Sequence, residues 1–333
     1  MSQTCLPEKV RISTGSAIAI GLLKGMLDVK PTTTYLLVCR KEKCSANCGF
    51  CPQARASKGR ADRLSRVTWP PFPTEKVITG IEKTVKARKM KRVCFQTLNY
   101  PEAFDDVVCL VRQIKQRVES PVSVSCKPLN LEKMKALADS GVNRISVALD
   151  AATENIFDKV KGWKIGGPYI WQKHIDALMK AVDVFGKGSV NTHLIAGLGE
   201  TEQELCQTIQ WCVDARVYPS LFAFTPIAGT ALEGRPPPPL KSYRRIQIAH
   251  YILTHRKVRI ENIKFDNDGK LINFGISKEM LMEAVETGEP FRTSGCPGCN
   301  RPYYNERPSG PLYNYPRKLT LKEIKEIKRT LDG

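Results

Sequence analysis

From Tyr35 onward, short β-branched runs alternate with longer stretches in which apolar residues recur at helical spacing. That alternation predicts βα units built around a parallel sheet. Strands are expected over 35–38, 92–95, 122–126, 144–149, 190–195, 221–224 and 258–265. Between them, Leu131, Met134, Leu137 and Ala138 form one helical face behind Asn130, a good N-cap, and Gly141 supplies a stop before the next strand. Glu202, Leu205, Ile209, Cys212 and Val213 mark another helix, entered through the turn Gly197-Leu198-Gly199-Glu200-Thr201. The repetition predicts an α/β fold, a partial or complete TIM-type (βα) barrel over residues 35–265, with an N-terminal extension over 1–34 and a C-terminal extension over 266–333.

The flanks carry weaker patterns. The apolar segment 17–23 reads as a short helix capping the barrel mouth, and Pro236 to Pro239 as a stiff connector before a further helix. Residues 290–316 are rich in Pro, Gly, Tyr and Asn without periodicity, an extension that stays ordered only if something anchors it. Thr320-Leu321-Lys322-Glu323 is a capping-box pattern, and Leu321, Ile324, Ile327 and Leu331 behind it predict a terminal docking helix.

Composition narrows the class. With 333 residues, 42% hydrophobic and 26% charged, the chain is long enough for one sizeable core and is neither disordered nor fibrous in character. A formal charge of +19 favours acidic partners without choosing among nucleic acid, an anionic surface and an acidic carrier protein. Lys83, Lys86, Arg88, Lys89 and Lys91 read as a solvated helix face, and no interleaved aromatic-basic platform supports nucleic acid. Neither a signal-peptide pattern nor an 18-residue apolar stretch stands out, so a cytoplasmic, reducing setting without membrane contact is expected. Twelve cysteines in that setting point to metal or redox chemistry rather than disulfides.

Cys44, Cys48 and Cys51 fall within eight residues, in the loop after the first expected strand, where barrel enzymes place working groups. Thiolates suit zinc and iron–sulfur clusters alike, but a structural zinc wants a closed set of four ligands. Three thiolates on a [4Fe–4S] cluster leave one iron open to substrate or cofactor. Zinc with a distant fourth ligand is the alternative.

The CxxxCx(aromatic)C spacing, with Phe50 as the aromatic, resembles the signature of the radical S-adenosylmethionine superfamily. The resemblance implies a [4Fe–4S] cluster on Cys44, Cys48 and Cys51 that cleaves S-adenosylmethionine to a 5′-deoxyadenosyl radical. It also implies cofactor contacts from the motif Ile195 to Thr201, including Gly197, Gly199 and Glu200, from Asp150 as acceptor of the ribose hydroxyls, and from Gln96 and Thr97 toward the methionine amino group. The glycines that the family carries near Gln96 to Asn99 are absent.

The motif over 195–201, with Cys94 and Cys126 at strand ends, is most similar to the biotin synthase branch, whose second cluster donates sulfur. Asn191 stands where that branch has another cluster cysteine. The CxxC pair Cys296 and Cys299, in a tail without a core-forming pattern, is the natural replacement, a metal supplying the missing anchor. A zinc half-site and a redox pair remain open for it.

This tail and the layout resemble the archaeal two-component lipoyl synthases. That resemblance implies sulfur insertion at C6 or C8 of an octanoyl-lysine on a carrier protein or peptide, a sacrificed second iron–sulfur cluster on some of Cys94, Cys126, Cys296 and Cys299, a homologous partner subunit, and an electron donor such as ferredoxin. Alternatives are another radical enzyme, biotin-synthase-like or methylornithine-synthase-like, and a zinc-stabilised nucleic-acid-binding protein. Cys5, Cys109, Cys206 and Cys212 read as core or incidental, Cys39 has no role, and His193 reads as a hydrogen-bonded core residue. Arg292 and Arg301 flank the tail cysteines either as cluster-tuning groups or as surface salt-bridge partners.

Overall fold

The computed structural model describes residues 7–332, and Cys5 lies outside them. The chain begins with β1 (Lys9–Ile12) and the short helix α1 (Thr14–Ala19), followed by β2 (Thr33–Val38). Beyond the cysteine loop come β3 (Arg63–Leu64), β4 (Val67–Thr68), β5 (Pro71–Pro73) and α2 (Thr74–Lys86). The βα alternation then runs through β6 (Arg92–Gln96), α3 (Ala103–Arg117), β7 (Val122–Cys126), α4 (Leu131–Asp139), β8 (Val142–Val147), α5 (Glu154–Val160), α6 (Trp171–Phe185), β9 (Val190–Ala196), α7 (Glu202–Asp214), β10 (Tyr218–Ala223) and α8 (Leu240–Thr254). A two-stranded ribbon of β11 (Lys264–Phe265) and β12 (Leu271–Asn273), α9 (Lys278–Thr287) and α10 (Leu321–Asp332) complete the described elements.

The main sheet has the order β10-β9-β8-β7-β6-β2-β1-β5. The strands from β2 to β10 pair in parallel, while β1 pairs antiparallel with both β2 and β5. The sheet does not close on itself, so the expected barrel is of the partial kind. Its last parallel strand is β10; the strand expected over 258–265 is instead a 3₁₀ turn at Ile260–Asn262 followed by the two-residue β11. The apolar residues there, Val258 and Ile263, are buried against the core without joining the main sheet.

Period-two alternation divides each parallel strand between two environments. Leu36, Val93, Phe95, Val122, Val124, Ile145, Val147, Val190 and Leu194 lie in the apolar core shared with the surrounding helices. The residues between them, including Tyr35, Cys94, Ser123, Ser125, Arg144, Ser146, Asn191 and His193, line an internal cavity. Parallel strands are therefore buried on both faces, but only one face is aliphatic.

The expected helices over 131–138 and after Thr201 are present with their caps. Asn130 accepts from the Lys133 N–H at 3.0 Å, and Thr201 with Glu204 forms a capping box. The apolar segment near the start behaves differently from the expectation. Its helix is α1, capped by Ser13, and the Ser16 hydroxyl bonds Thr33 O and Tyr35 N of β2 at 3.4 and 3.0 Å. Those atoms belong to the half of β2 remote from the cysteine loop, so α1 braces the opposite end rather than capping the mouth. Ile20 packs against Gly80 of α2, where an added Cβ would come within 3.1 Å of it.

The tail over 292–316 is irregular but well anchored. Ser294 Oγ accepts from the Leu221 N–H of edge strand β10 at 2.8 Å, and Thr225 Oγ donates to Asn305 O at 3.0 Å. On the far side of the opening, Asn300 Oδ1 accepts from the Thr32 N–H at 3.0 Å, and the Arg301 N–H donates to Tyr35 Oη at 3.0 Å. The tail thus links edge strand β10 to the start of β2. Arg244 of α8 pins its far end by donating to Tyr313 O and Leu312 O at 2.7 and 2.5 Å while lying near the rings of Phe291 and Tyr315.

Candidate active site

The loop after β2 presents three cysteines within one turn-rich segment. It is tied to its surroundings by backbone bonds: Cys44 N to Gln53 O at 2.9 Å, Gly49 N to Val160 O at 2.7 Å, and Cys51 N to Cys48 O at 3.0 Å. Buried Gln53 clamps the loop's return by donating to Ala61 O and Arg63 O. Asn99, just past β6, donates its backbone N–H to Cys44 Sγ at 3.0 Å, and its carbonyl accepts from the Ser45 N–H and hydroxyl. Burial pushes the Cys51 thiol up to about 12 and raises Cys48 further, so these groups hold protons until a metal displaces them. Soft donors buried together in this way suit a [4Fe–4S] cluster. Among the described residues no group of three metal-binding side chains converges on the position of a single ion. A cubane, in which each thiolate takes its own iron, does not require that convergence.

Phe50 and Cys51 line one part of a cavity of about 260 Å³ inside the partial barrel. Asp150 lines it too, at φ +65°, with Oδ2 held 2.7 Å from the Nζ of Lys161. Both side chains are almost fully buried, and Lys161 donates its other bond to Ala148 O at 2.7 Å. Gln96 lines the cavity, but its amide donates to Cys94 Sγ at 3.3 Å. Thr97 turns away, its hydroxyl donating to Ser125 O at 3.0 Å.

Gly197, Gly199 and Glu200 stand outside the cavity lining, which takes Ile195 from this segment. Glu200 folds back on its own turn, accepting from the Gly197 and Leu198 N–H groups at 2.5 and 3.0 Å. Gly197 sits at φ +103°, and a Cβ there would meet Pro238 Cδ at 2.8 Å. The motif therefore shapes the loop after β9.

The same cavity is also lined by Cys94, Cys296 and Cys299. Burial raises the thiols of Cys94 and Cys299 above their ordinary value, each also pushed up by its cysteine neighbours. Cys126, the fourth thiol considered for a second cluster, is not among them. It follows Ser125 on β7 and so faces the helices, packed against the apolar core.

Asn191 accepts from Arg144 Nη1 at 2.7 Å and donates to Ser220 Oγ at 3.3 Å, a polar network in place of a ligand. His193 lines the cavity, bonded to Ser146 Oγ at 3.3 Å and pushed down to about 4 by burial, hence neutral. The two tail arginines diverge: Arg292 pairs with Glu289 at 2.7 Å, whereas Arg301 stacks 3.8 Å above the Phe222 ring and lines the cavity.

Tyr35, Ser123, Arg144, Lys161 and Tyr304 complete the site without having been marked from sequence. Ser123 carried a usable signal, as a polar side chain alternating with aliphatic ones in a buried strand. Lys161 carried none, lying at the end of an ordinary helix.

Comparison with known proteins places this geometry. The profile of the Radical SAM superfamily matches residues 40–212. The biotin synthase of Persephonella marina is 26% identical over 204 residues, covering 60% of this chain and 56% of that protein. The biotin synthase of Bacillus cytotoxicus is 23% identical over 223 residues, covering 65% of this chain and 63% of that protein. The match thus spans less than two thirds of these relatives. Among solved structures, a maturase of the [FeFe]-hydrogenase aligns with TM-score 0.54 at 14% identity, covering 67% of this chain and 50% of that one. A methylornithine synthase aligns with TM-score 0.51 at 16% identity, covering 65% of this chain and 60% of that one. At such identities the likeness is one of fold.

Proposed function

Because the chain belongs to the Radical SAM superfamily, a membership that implies a [4Fe–4S] cluster and S-adenosylmethionine, we propose that it is a sulfur-inserting enzyme of the lipoyl synthase type. On this reading it forms carbon–sulfur bonds at C6 or C8 of an octanoyl-lysine on a carrier protein or peptide. Cys44, Cys48 and Cys51 hold the radical cluster, and Cys94, Cys296 and Cys299 hold a second one. When bound, the radical cluster and cofactor supply hydrogen-atom abstraction from an unreactive carbon, and the second cluster supplies a sulfide and takes up the odd electron as carbon–sulfur replaces carbon–hydrogen.

The observation that carries the reading is that Cys51 of the radical set and all three of Cys94, Cys296 and Cys299 border one cavity. A chain lying in it touches Cys51 and the second cysteine set alike. The remaining lining is mostly uncharged, with Leu64, Trp69, Ile195 and Phe222 alongside small hydroxyls, and so accepts an acyl chain. The charge of +19 suits an acidic carrier. A homologous partner subunit and a ferredoxin-like donor complete the proposal.

A biotin-synthase-like substrate is the second reading, favoured by the relatives at 26% and 23% identity. The hydrogen-bonded Asn191 and the CxxC in the tail favour a different arrangement of the second site.

Anaerobic reconstitution with iron and sulfide, Mössbauer cluster counting and incubation with octanoyl-lysine peptide and S-adenosylmethionine test the reading. Two clusters are expected, with thiolated peptide as product. A Cys296/Cys299 double alanine variant keeps one cluster and still releases 5′-deoxyadenosine, but makes no carbon–sulfur bond. Sulfur insertion undiminished in that variant would sink the proposal.

A further inference from the structure

Each sulfur of the second cysteine set meets one barrel side chain, and each of those side chains comes from the cavity face of a parallel strand. Gln96 Nε2 of β6 lies 3.3 Å from Cys94 Sγ. Tyr35 Oη of β2 lies 3.2 Å from Cys299 Sγ, and Ser123 Oγ of β7 lies 3.5 Å from Cys296 Sγ. The amide nitrogen of Gln96 only donates. The two hydroxyls are ambivalent in isolation, but their oxygens are already engaged. Tyr35 Oη accepts from the Arg301 N–H at 3.0 Å, and Ser123 Oγ accepts from Arg92 Nη1 at 2.8 Å. Among the described hydrogen bonds sulfur is the one acceptor within reach of either hydroxyl proton, and the incoming N–H polarises the O–H that it feeds.

We infer that Gln96, Tyr35 and Ser123 form a three-donor cradle for thiolate sulfur, and that they position Cys94, Cys296 and Cys299 as the complete cysteine set of a second iron–sulfur cluster. Neutral thiols in a buried pocket gain from acceptors as much as from donors. A uniform set of donors fits sulfur that stays negative after burial, as it does on iron. The assignment gives Gln96 a role at the second site in place of the cofactor contact expected of it, and it leaves Cys126 out. It rests on the two-cluster reading above and adds which side chains set the properties of the second cluster. Hydrogen bonds to cluster sulfurs stabilise the reduced state, so their removal moves the potential downward.

The test uses the reconstituted full chain and reads each cluster separately by Mössbauer and by redox titration followed by electron paramagnetic resonance. Tyr35→Phe, Ser123→Ala and Gln96→Leu are each expected to shift the second cluster's midpoint potential to more negative values or to lower its occupancy. The radical cluster and S-adenosylmethionine cleavage stay at parental levels, which reports that the variant is folded. Ser123→Thr keeps the hydroxyl and is expected to restore the parental potential, an outcome that a merely packing role for Ser123 does not give. Cys94→Ala removes the second cluster and Cys126→Ala leaves it intact. A parental chain with only one cluster would overturn the two-cluster reading and the cradle together. Two clusters with an unmoved second potential in all three donor variants would overturn the cradle alone, as would loss of the second cluster in Cys126→Ala.

Discussion

At the scale of single residues, the buried pair Asp150–Lys161 is the costliest contact to disturb. Two nearly dehydrated charges 2.7 Å apart sit beside the radical-cluster loop, and removing one leaves the other uncompensated. Lys161→Met is therefore expected to destabilise the protein by about 3–5 kcal/mol, whereas Asp150→Asn with Lys161→Met loses much less; denaturant titration of the three chains measures the difference. The contrast between Cys94 and Cys126 was legible in the sequence, though it was not drawn from it. In Val122-Ser-Val-Ser-Cys126 the cysteine shares its parity with two valines, whereas Cys94 alternates with Val93 and Phe95 and shares its face with Arg92 and Gln96. The radical-site thiols needed no such parity, because their spacing within one loop marks them directly. Lys161 had no equivalent mark: its meaning comes from a partner eleven residues away that the fold alone brings to it.

At the scale of elements, strands and caps were the readable part. Short β-branched runs located β2 and β6 to β10 within a few residues, and Asn130, the turn before α7 and Thr320 announced the helix starts beside them. The short antiparallel strands β1 and β5 escaped: β5 has proline at two of its three positions, and β1 alternates over only four residues. The expected strand over 258–265 failed because an apolar run satisfies burial equally well as a coil packed on the core. The terminal helix α10 follows its capping box closely: Glu323 accepts from the Thr320 N–H at 2.7 Å and from both arms of Arg317 at 2.9 Å. Thr320→Ala is expected to cost about 1 kcal/mol in the anchoring of this helix. The Arg317 guanidinium holds the Glu323 carboxyl down to about 2, below its ordinary 4.5. A depressed carboxyl contributes fully above the unfolded value and loses its contribution as pH falls from 4.5 toward 2. Hydrogen exchange, corrected for intrinsic rate, should show the α10 amides losing protection in that window, and Arg317→Met should remove the acid sensitivity.

At the scale of the whole molecule, the open sheet and the irregular tail explain each other. An eight-stranded sheet with β10 at one edge offers unpaired backbone groups, a ready template for self-association. The tail covers that edge through Ser294 and crosses to Tyr35 and Thr32. A chain shortened to end before Arg292 is expected to self-associate, which light scattering would register, while retaining the Cys44–Cys51 loop. The sequence disclosed the tail's unusual composition but not its route, since the route is fixed by partners some 260 to 270 residues earlier. That separation also sets a timetable for biosynthesis. Every strand of the barrel and the cysteines Cys44, Cys48 and Cys51 have been synthesised once residue 224 has left the ribosome, whereas Cys296 and Cys299 arrive only with the tail. The Cys44–Cys51 loop can therefore fold onto the barrel before the tail that carries Cys296 and Cys299 exists.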